Sequence, residues 1–390
     1  MTEAGPKVWE TLVVGAGVFG AWTAWHLRNA GREVLLLDAH GAAHARASSG
    51  GESRMTRGSY GPDAIYTRMA HASLAPWKWL SERAGLPTFH ETGVLFFFGK
   101  REPYVEQTLA AHATLGLGTR ALDRAELRRR YPQAIWDDVE VGLYEPDFGA
   151  LMARRAVQTL VRALAEAGGE LRIAAASPPN VAGDALRELV LTTGEVLRAR
   201  QIVFACGPWL PKLFPAELGG RIFPTRQEVF FFATPPGDDR FLPGKFPGWA
   251  DFNAGDIYYG FPDLEARGFK IAHDQHGPAI DPDTGDRIAS AAGLADVRGY
   301  LARRFPALGG APLVESRVCQ YENSANGDLL IDRHPTLQNV WLVGAGSGHG
   351  FKHGPEVGRM AAELVLAESA AREPRFSLAT KAKQQQRSVH

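Results

Sequence analysis

Cysteine is scarce: the chain has two in 390 residues, Cys206 and Cys319, far apart and in unrelated contexts. That excludes a disulfide framework and a zinc site built from cysteine, and no metal site is expected. Excess charge is also missing. Lys plus Arg and Asp plus Glu each number 43, so no overall field draws the chain to nucleic acid or to an anionic membrane. No apolar run approaches the ~20 residues of a membrane span. The opening residues, with Glu3, Lys7 and Glu10, lack the apolar core of a signal peptide. The expectation is a globular cytoplasmic protein of two or three domains that works on a small molecule, with no nucleic-acid or membrane partner.

What the chain does have is a complete strand, glycine turn, helix, strand and acid unit between Thr11 and Asp38. Gly15 permits a tight turn, Gly17 lets backbone approach a pyrophosphate, and Gly20 lets helix and strand pack closely. The unpaired N–H groups at the helix start, with Val18 among the first, then face the anion. Asp38 stands 23 residues beyond Gly15, where a carboxylate can accept the hydroxyls of an adenosine ribose. An acid at that place disfavours a 2′-phosphate and leaves FAD or NAD.

Further along, Ala47 to Ser53 forms a Ser/Gly-rich loop able to wrap a cofactor. Thr92 to Phe98 reads as a strand, Ala121 to Arg130 as a charged helix, and 150–168 as an amphipathic helix. Strands around Leu171 and Leu189 lead into the apolar run that ends at Cys206-Gly207-Pro208-Trp209, a return to the nucleotide-binding part. Pro224 to Phe232, Asp256 to Phe261 and Phe269 to Ala272 have the pattern of a mostly antiparallel sheet. A last strand enters the glycine turn Gly344 to Lys352, then a helix from Glu356 to Glu368. The polar tail is 381–390.

Nine landmarks in order resemble the monomeric sarcosine oxidase family of flavin-dependent amine oxidases, within the D-amino acid oxidase superfamily. They include Gly15-Ala-Gly17, Gly51-Glu-Ser-Arg54-Met-Thr-Arg57, Thr92-Gly-Val-Leu, Arg226-Gln, Ile257-Tyr-Tyr259-Gly-Phe-Pro and Ile280-Asp-Pro-Asp-Thr. The others are Cys319-Gln-Tyr321, Ile331-Asp-Arg-His-Pro and Ser347-Gly-His-Gly-Phe-Lys352. The resemblance implies an α/β (α+β) fold, with a Rossmann-like FAD-binding domain interleaved with a substrate domain on the antiparallel sheet. The expected FAD-binding segments are 1–90, 145–220 and 315–380, and the substrate segments 91–144 and 221–314. A monomer is expected.

The resemblance also assigns roles. Cofactor contacts fall on Gly15, Gly17, Val18, Gly20, Asp38, Ser48, Ser49, Ser53, Arg54, Gly207, Trp209, Gly346, Gly348, His349, Gly350, Phe351 and Lys352. Cys319 matches the cysteine that carries the flavin in a thioether bond; its bland alternative is a small buried apolar residue, the reading given to Cys206. Arg57 and Lys352 match two cations that hold a substrate carboxylate. Arg54 matches an arginine above the flavin ring. Tyr259 and Tyr321 match aromatics near the substrate, though either could be a core aromatic. Lys270 is a charge inside an apolar strand: an outward-facing residue, or the family's lysine that activates oxygen by stabilising superoxide. Three positions depart from the sarcosine oxidases. Gly50 and Ala250 are smaller than their family counterparts and would enlarge the pocket, and Asp274 replaces a histidine, with His273 and His276 flanking it.

The implied reaction is oxidation of a secondary α-amino acid larger than sarcosine by hydride transfer to flavin, followed by imine hydrolysis. Reoxidation by O₂ then yields H₂O₂. A primary amino acid oxidase or dehydrogenase, and a flavin-binding partner without amine turnover, stand as the rival readings.

Overall fold

The computed structural model describes residues 7–253, 257–275, 277–367 and 372–384. Val8–Val14 forms the centre of the first sheet, flanked by Val34–Asp38 on one side and Val196–Phe204 on the other, both parallel to it. Glu170–Ile173 extends the sheet beyond Val34–Asp38 and Val340–Gly344 beyond Val196–Phe204, again parallel, and Leu330–Arg333 adds an antiparallel edge. Alternation sends Val13, Leu36 and Val203 into a core shared with the helices, and Leu12, Leu35 and Ile202 into a second core on the opposite face. A sheet buried on both faces explains why its strands read as continuous apolar runs.

The helix Val18–Asn29 packs on that sheet and against Gly354–Leu366, where Trp22 is fully buried. Gly354 and Gly358 lie one turn apart, and a Cβ at Gly358 would come within 2.5 Å of the Trp22 Cβ. The turn at Gly15–Gly20 and the turn after Gly344 are therefore clamped side by side, both leaving the C-terminal ends of parallel strands, where ligands bind in folds of this kind.

The second sheet has eight strands, in the order Leu313–Ser324, Ile222–Phe232, Phe269–Asp274, Ile257–Phe261, Gly248–Asp251, Val94–Phe98, Val141–Glu145 and Arg120–Asp123. All its neighbours are antiparallel except Gly248–Asp251 with Val94–Phe98. The mixed α/β architecture with a mostly antiparallel second layer is the one expected. One face buries an aromatic core that includes Phe97, Trp136, Trp249 and Phe269. The other carries Tyr259, Lys270 and Asp274 towards the first sheet.

Local departures from the sequence reading have simple causes. Residues 120–123 form an edge strand before the helix Arg124–Arg130, which begins at an Asp123–Glu126 capping box. The helix expected from 150 begins at Ala153, because Ala150–Met152 pairs with Ser53–Met55 and Phe89–His90 in a small third sheet. Leu313–Ser324, which the reading gives to the FAD-binding segments from 315 onward, pairs with Ile222–Phe232 along most of its length. Asp256, Glu368 and the end of the tail lie outside the described residues.

Candidate active site

A cleft of about 470 Å³ opens where the glycine turns meet the edge strand Leu313–Ser324. The first turn shows why each glycine is there. Gly15 has φ +105°, and a Cβ on it would lie 2.4 Å from the Ala205 carbonyl oxygen; one on Gly20 would lie 1.8 Å from the Gly15 oxygen. Those two are required by the fold. A Cβ on Gly17 would meet only the Ser49 hydroxyl, at 3.4 Å, so the need for glycine there comes from the open cleft beside it. Asp38 and Ser49 brace the turn: Asp38 accepts the Ala16 N–H at 2.7 Å and the N–H groups of His40 and Gly41, and Ser49 Oγ accepts the Val18 N–H at 3.0 Å.

The opposite wall is the turn after Val340–Gly344. Ala345 (φ +57°), Ser347 (+45°) and Gly348 (+77°) take positive φ around Gly346; the Gly346 N–H donates to Glu322 Oε1 at 3.2 Å and the Ser347 N–H to the Glu322 carbonyl at 3.1 Å. Gly348 has a second constraint, since a Cβ would press within 2.7 Å of the Tyr321 ring. Gly207 (φ +53°) and Trp209 enter from the end of Val196–Phe204, with the Trp209 indole N–H donating to Asp283 at 2.7 Å. Gly346, Gly350, Phe351, Ser48, Ser49, Asp38, Val18 and Cys319 also line the cleft. Gly20, Ser53, His349 and Lys352 are not part of its lining. Ser48 Oγ and Glu322 Oε2 are buried polar atoms of the lining without a hydrogen-bond partner among the described residues. A long phosphate-bearing cofactor with polar substituents fits this lining; among the described residues no group of His, Cys, Asp and Glu is placed to hold a metal ion.

At one end of the cleft the chemistry passes from backbone to side chains. Ser53–Met55 pairs with Ala150–Met152 and thereby pins Arg54. Its guanidinium donates to the carbonyls of Ser48 and Ser53, each at 2.8 Å, and lies 3.2 Å from Cys319 Sγ. Gly51, part of the same landmark but given no role in the sequence reading, makes room for it, because a Cβ there would approach the guanidinium to 2.5 Å. Lys270 Nζ donates to the same Ser53 carbonyl at 2.8 Å and to Ser53 Oγ at 3.2 Å, beneath the rings of Phe231, Tyr259 and Phe261. At 2 % exposure it is not an outward-facing strand residue. Burial, and then the neighbouring Arg54 charge, hold its ammonium pKa well below the usual lysine value.

Tyr259 and Tyr321 are hydrogen-bonded to each other, and the Tyr321 hydroxyl lies 3.1 Å from Asp274 Oδ1. Burial raises both phenol pKa values, that of Tyr259 to about 12, so they remain neutral donors rather than bases at ordinary pH. Asp274 shares its strand face with Lys270. His273, one residue away, points to the other face, where it stacks on Tyr258 and lies 2.9 Å from Asp296; it cannot stand in for the histidine that Asp274 replaces. His276 lies outside the described residues.

Arg57 and Lys352 meet over one aromatic ring. The Arg57 guanidinium sits 4.1 Å above Tyr60 and the Lys352 ammonium 5.3 Å from the same ring. Arg57 also donates to the Ser59 carbonyl, and Lys352 to the His349 carbonyl at 2.7 Å. The Tyr60 hydroxyl joins His353 Nε2 at 2.7 Å and His349 Nδ1 at 3.2 Å. The His349 ring is thus occupied away from the cleft. Glu145, fully buried, accepts the Gly58 N–H at 2.9 Å and the Ser59 hydroxyl, tying the Arg57 loop to the second sheet. Tyr60 and Glu145 escape a reading of the sequence alone; the one available signal is Tyr60's place three residues after Arg57.

Two pocket positions divide. Ala250 pairs directly with Tyr259 and is buried beside it. Gly50 does not face a cavity: a Cβ on it would lie 2.0 Å from the His44 carbonyl oxygen, so it enlarges nothing. Cys206 behaves as expected of a structural thiol, donating weakly to the Val14 carbonyl and pushed by burial to a higher pKa.

Comparison with known proteins places the chain in a family. The profile of the FAD dependent oxidoreductase family matches residues 10–364. The peroxisomal sarcosine oxidase of Homo sapiens is 30% identical over 371 residues, covering 92% of each chain. The N-methyl-L-tryptophan oxidase of Citrobacter koseri is 29% identical, covering 93% of this chain and 96% of its own. Among solved structures, the L-proline dehydrogenase of P. horikoshii superposes with a TM-score of 0.82 at 20% identity, over 96% of this chain and 97% of that one. A fructosyl peptide oxidase does so with 0.81 at 21% identity, over 95% and 93%. The chain belongs to the FAD-dependent oxidoreductase family, among its sarcosine oxidase-like members.

Proposed function

We propose that this protein is an oxidase of secondary α-amino acids, carrying FAD in a thioether bond at Cys319 and passing electrons to O₂ to give H₂O₂. The observation that carries the reading is the convergence of Arg57 and Lys352 on one Tyr60 ring, next to an arginine, a lysine and two neutral phenols at the end of a dinucleotide cleft. Bound FAD supplies the two-electron acceptor. Gly15, Gly17 and the turn at Gly346 hold its phosphates and ribityl chain, and Cys319 stands at the cleft end beside Arg54. Arg57 and Lys352 take the substrate carboxylate in a site from which water is excluded. Tyr321 and Tyr259, being neutral, orient the amine without deprotonating a cation, so the amine must enter in its neutral form. Lys270, in its protonated form, offers oxygen a positive charge. The domain division, with segments 91–144 and 221–314 forming the substrate part, belongs to the same proposal, as does a monomeric state.

The small Ala250 side chain, buried beside Tyr259, supports a substrate larger than sarcosine. A methylene in an apolar pocket is worth only ~1–3 kcal/mol, so the preference is graded. Oxygen uptake and peroxide release across N-methyl, cyclic and N-fructosyl amino acids and free D-amino acids test the reading. Secondary amino acids should turn over fastest, with sarcosine below larger ones. A free primary amino acid as the best substrate would favour the rival oxidase. Yellow colour that stays with the polypeptide after acid precipitation, and is lost in Cys319→Ser, would support attachment; flavin released by wild type would refute it.

A further inference from the structure

Glu322 is a carboxyl group to which neither fold nor reaction assigns a task. It lies on the edge strand Leu313–Ser324, 6 % exposed, and lines the cleft. Its Oε1 accepts the Gly346 N–H at 3.2 Å. Its Oε2 is buried with no partner, and Cβ atoms built on Gly207 and Gly344 would lie 3.6 and 3.3 Å from that oxygen. The free oxygen therefore sits where two of the three glycine turns converge, beside Gly207 and Gly344. We propose that Glu322 contacts the bound FAD as a neutral carboxylic acid, its Oε2–H donating to a cofactor oxygen, so that cofactor binding is linked to a proton.

The electrical surroundings support this. No ion pair reaches Glu322 among the described residues. From the turn after Val196–Phe204 it faces Cys206, a neutral thiol, with Asp38 beyond, and Pro224 is its partner on the neighbouring strand. Lys212 is paired with Asp281 and Asp283, and His349 is turned to Tyr60 and the Gly327 carbonyl. Arg226 and Glu228 on the neighbouring strand pair with each other. Burial raises the Glu322 pKa to about 7, against the N–H groups of Gly346 and Ala345 that lower it. A diphosphate brought beside it adds negative charge and favours the protonated form further. An ionised Glu322 would instead repel the cofactor.

The sign follows from linkage. If only the neutral form binds, affinity for FAD is constant below about pH 7 and falls up to tenfold per pH unit above it. The proposal rests on FAD binding, not on covalent attachment or amine turnover, so Cys319→Ser protein is used, stripped of flavin and titrated with FAD by fluorescence quenching. Between about pH 6.5 and 8.5 the Kd should rise roughly ten- to thirtyfold. Glu322→Gln in the same background, a neutral isostere, should bind within about threefold of the parent at the lower pH and show no slope. Calorimetry near pH 8 in two buffers of different ionisation enthalpy should find proton uptake in the parent and none in the Glu322→Gln variant. A flat parental profile, a slope that survives in Glu322→Gln, or absence of proton uptake overturns the proposal. Failure of the parent to bind FAD at all would overturn the functional reading instead.

Discussion

The two ends of the cleft are built from different materials. The nucleotide end is backbone: glycines, αL residues and N–H groups held by short turns between parallel strands. The end proposed for the substrate is side chains, with Arg54, Arg57, Lys270, Lys352, Asp274 and two tyrosines drawn from segments as far apart as Arg54 and Lys352 in sequence. A backbone site depends on where a Cβ would fall and so leaves a local, ordered trace in sequence. A side-chain site depends on which face of a strand each residue takes and on what holds it there. The first can be read from a short stretch of sequence, and the second cannot.

The sharpest way to test the side-chain end is to remove one of its cations. Arg57→Ala or Lys352→Ala should weaken binding of a carboxylate substrate by about 2–5 kcal/mol, since a desolvated ion contact loses one partner. KM and the Kd of a carboxylate inhibitor measure this, while the flavin spectrum and cofactor content stay near wild type. Coupled loss of cofactor would mean that the two ends are one unit.

Removing the charge of Lys270 should separate the half-reactions. Lys270→Met keeps volume; if a charge contribution of ~3–5 kcal/mol is lost, reoxidation slows by roughly two to four decades, with anaerobic reduction much less affected. Because burial and Arg54 depress the Lys270 pKa, the wild-type reoxidation advantage should be present at lower pH. It should be lost as pH rises through a value below the ordinary ~10.4 of lysine. Stopped flow across pH reads both, and a pH-independent wild-type rate matched by Lys270→Met removes the oxygen role.

The backbone end divides by glycine. Gly20→Ala places a Cβ 1.8 Å from the Gly15 oxygen and should destabilise the fold by ~1–3 kcal/mol or more. Gly17→Ala should leave the melting temperature of the flavin-free chain nearly unchanged and lower FAD affinity, because its methyl projects towards the cleft. If Gly17→Ala proves as unstable as Gly20→Ala, the glycine serves packing. Smallest should be Tyr60→Phe, which keeps the ring under both cations but loses the contacts to His349 and His353; a KM change within about threefold is expected, against about tenfold or more for Tyr60→Leu, if a desolvated cation–π contact is worth ~2 kcal/mol.

The unit from Thr11 to Asp38, the antiparallel layer and the glycine turn at Gly344 are legible because each is encoded in consecutive residues. Lys270 stands out as a charge in an apolar strand, but its burial depends on Ser53, which arrives from a three-residue strand too short to show periodicity. Gly50 misleads for a related reason: a missing side chain has no direction in sequence, and here it points at the His44 carbonyl. The same loss of direction affects His273, whose neighbour in sequence lies on the opposite face of the sheet. Tyr60, Glu145 and Glu322 act through contacts more than 80 residues away in sequence for Glu145 and across separate turns for the others, and no local pattern marks them.

The measurement that tests the account most directly is anaerobic mixing of the flavin-loaded protein with matched amines while flavin absorbance is followed. An N-alkyl or cyclic α-amino acid should bleach the flavin rapidly, and its decarboxylated analogue should do so at least about tenfold more slowly at equal concentration. Equal bleaching by the two would contradict the role given to Arg57 and Lys352, and no bleaching by any secondary amino acid would contradict the proposed activity itself.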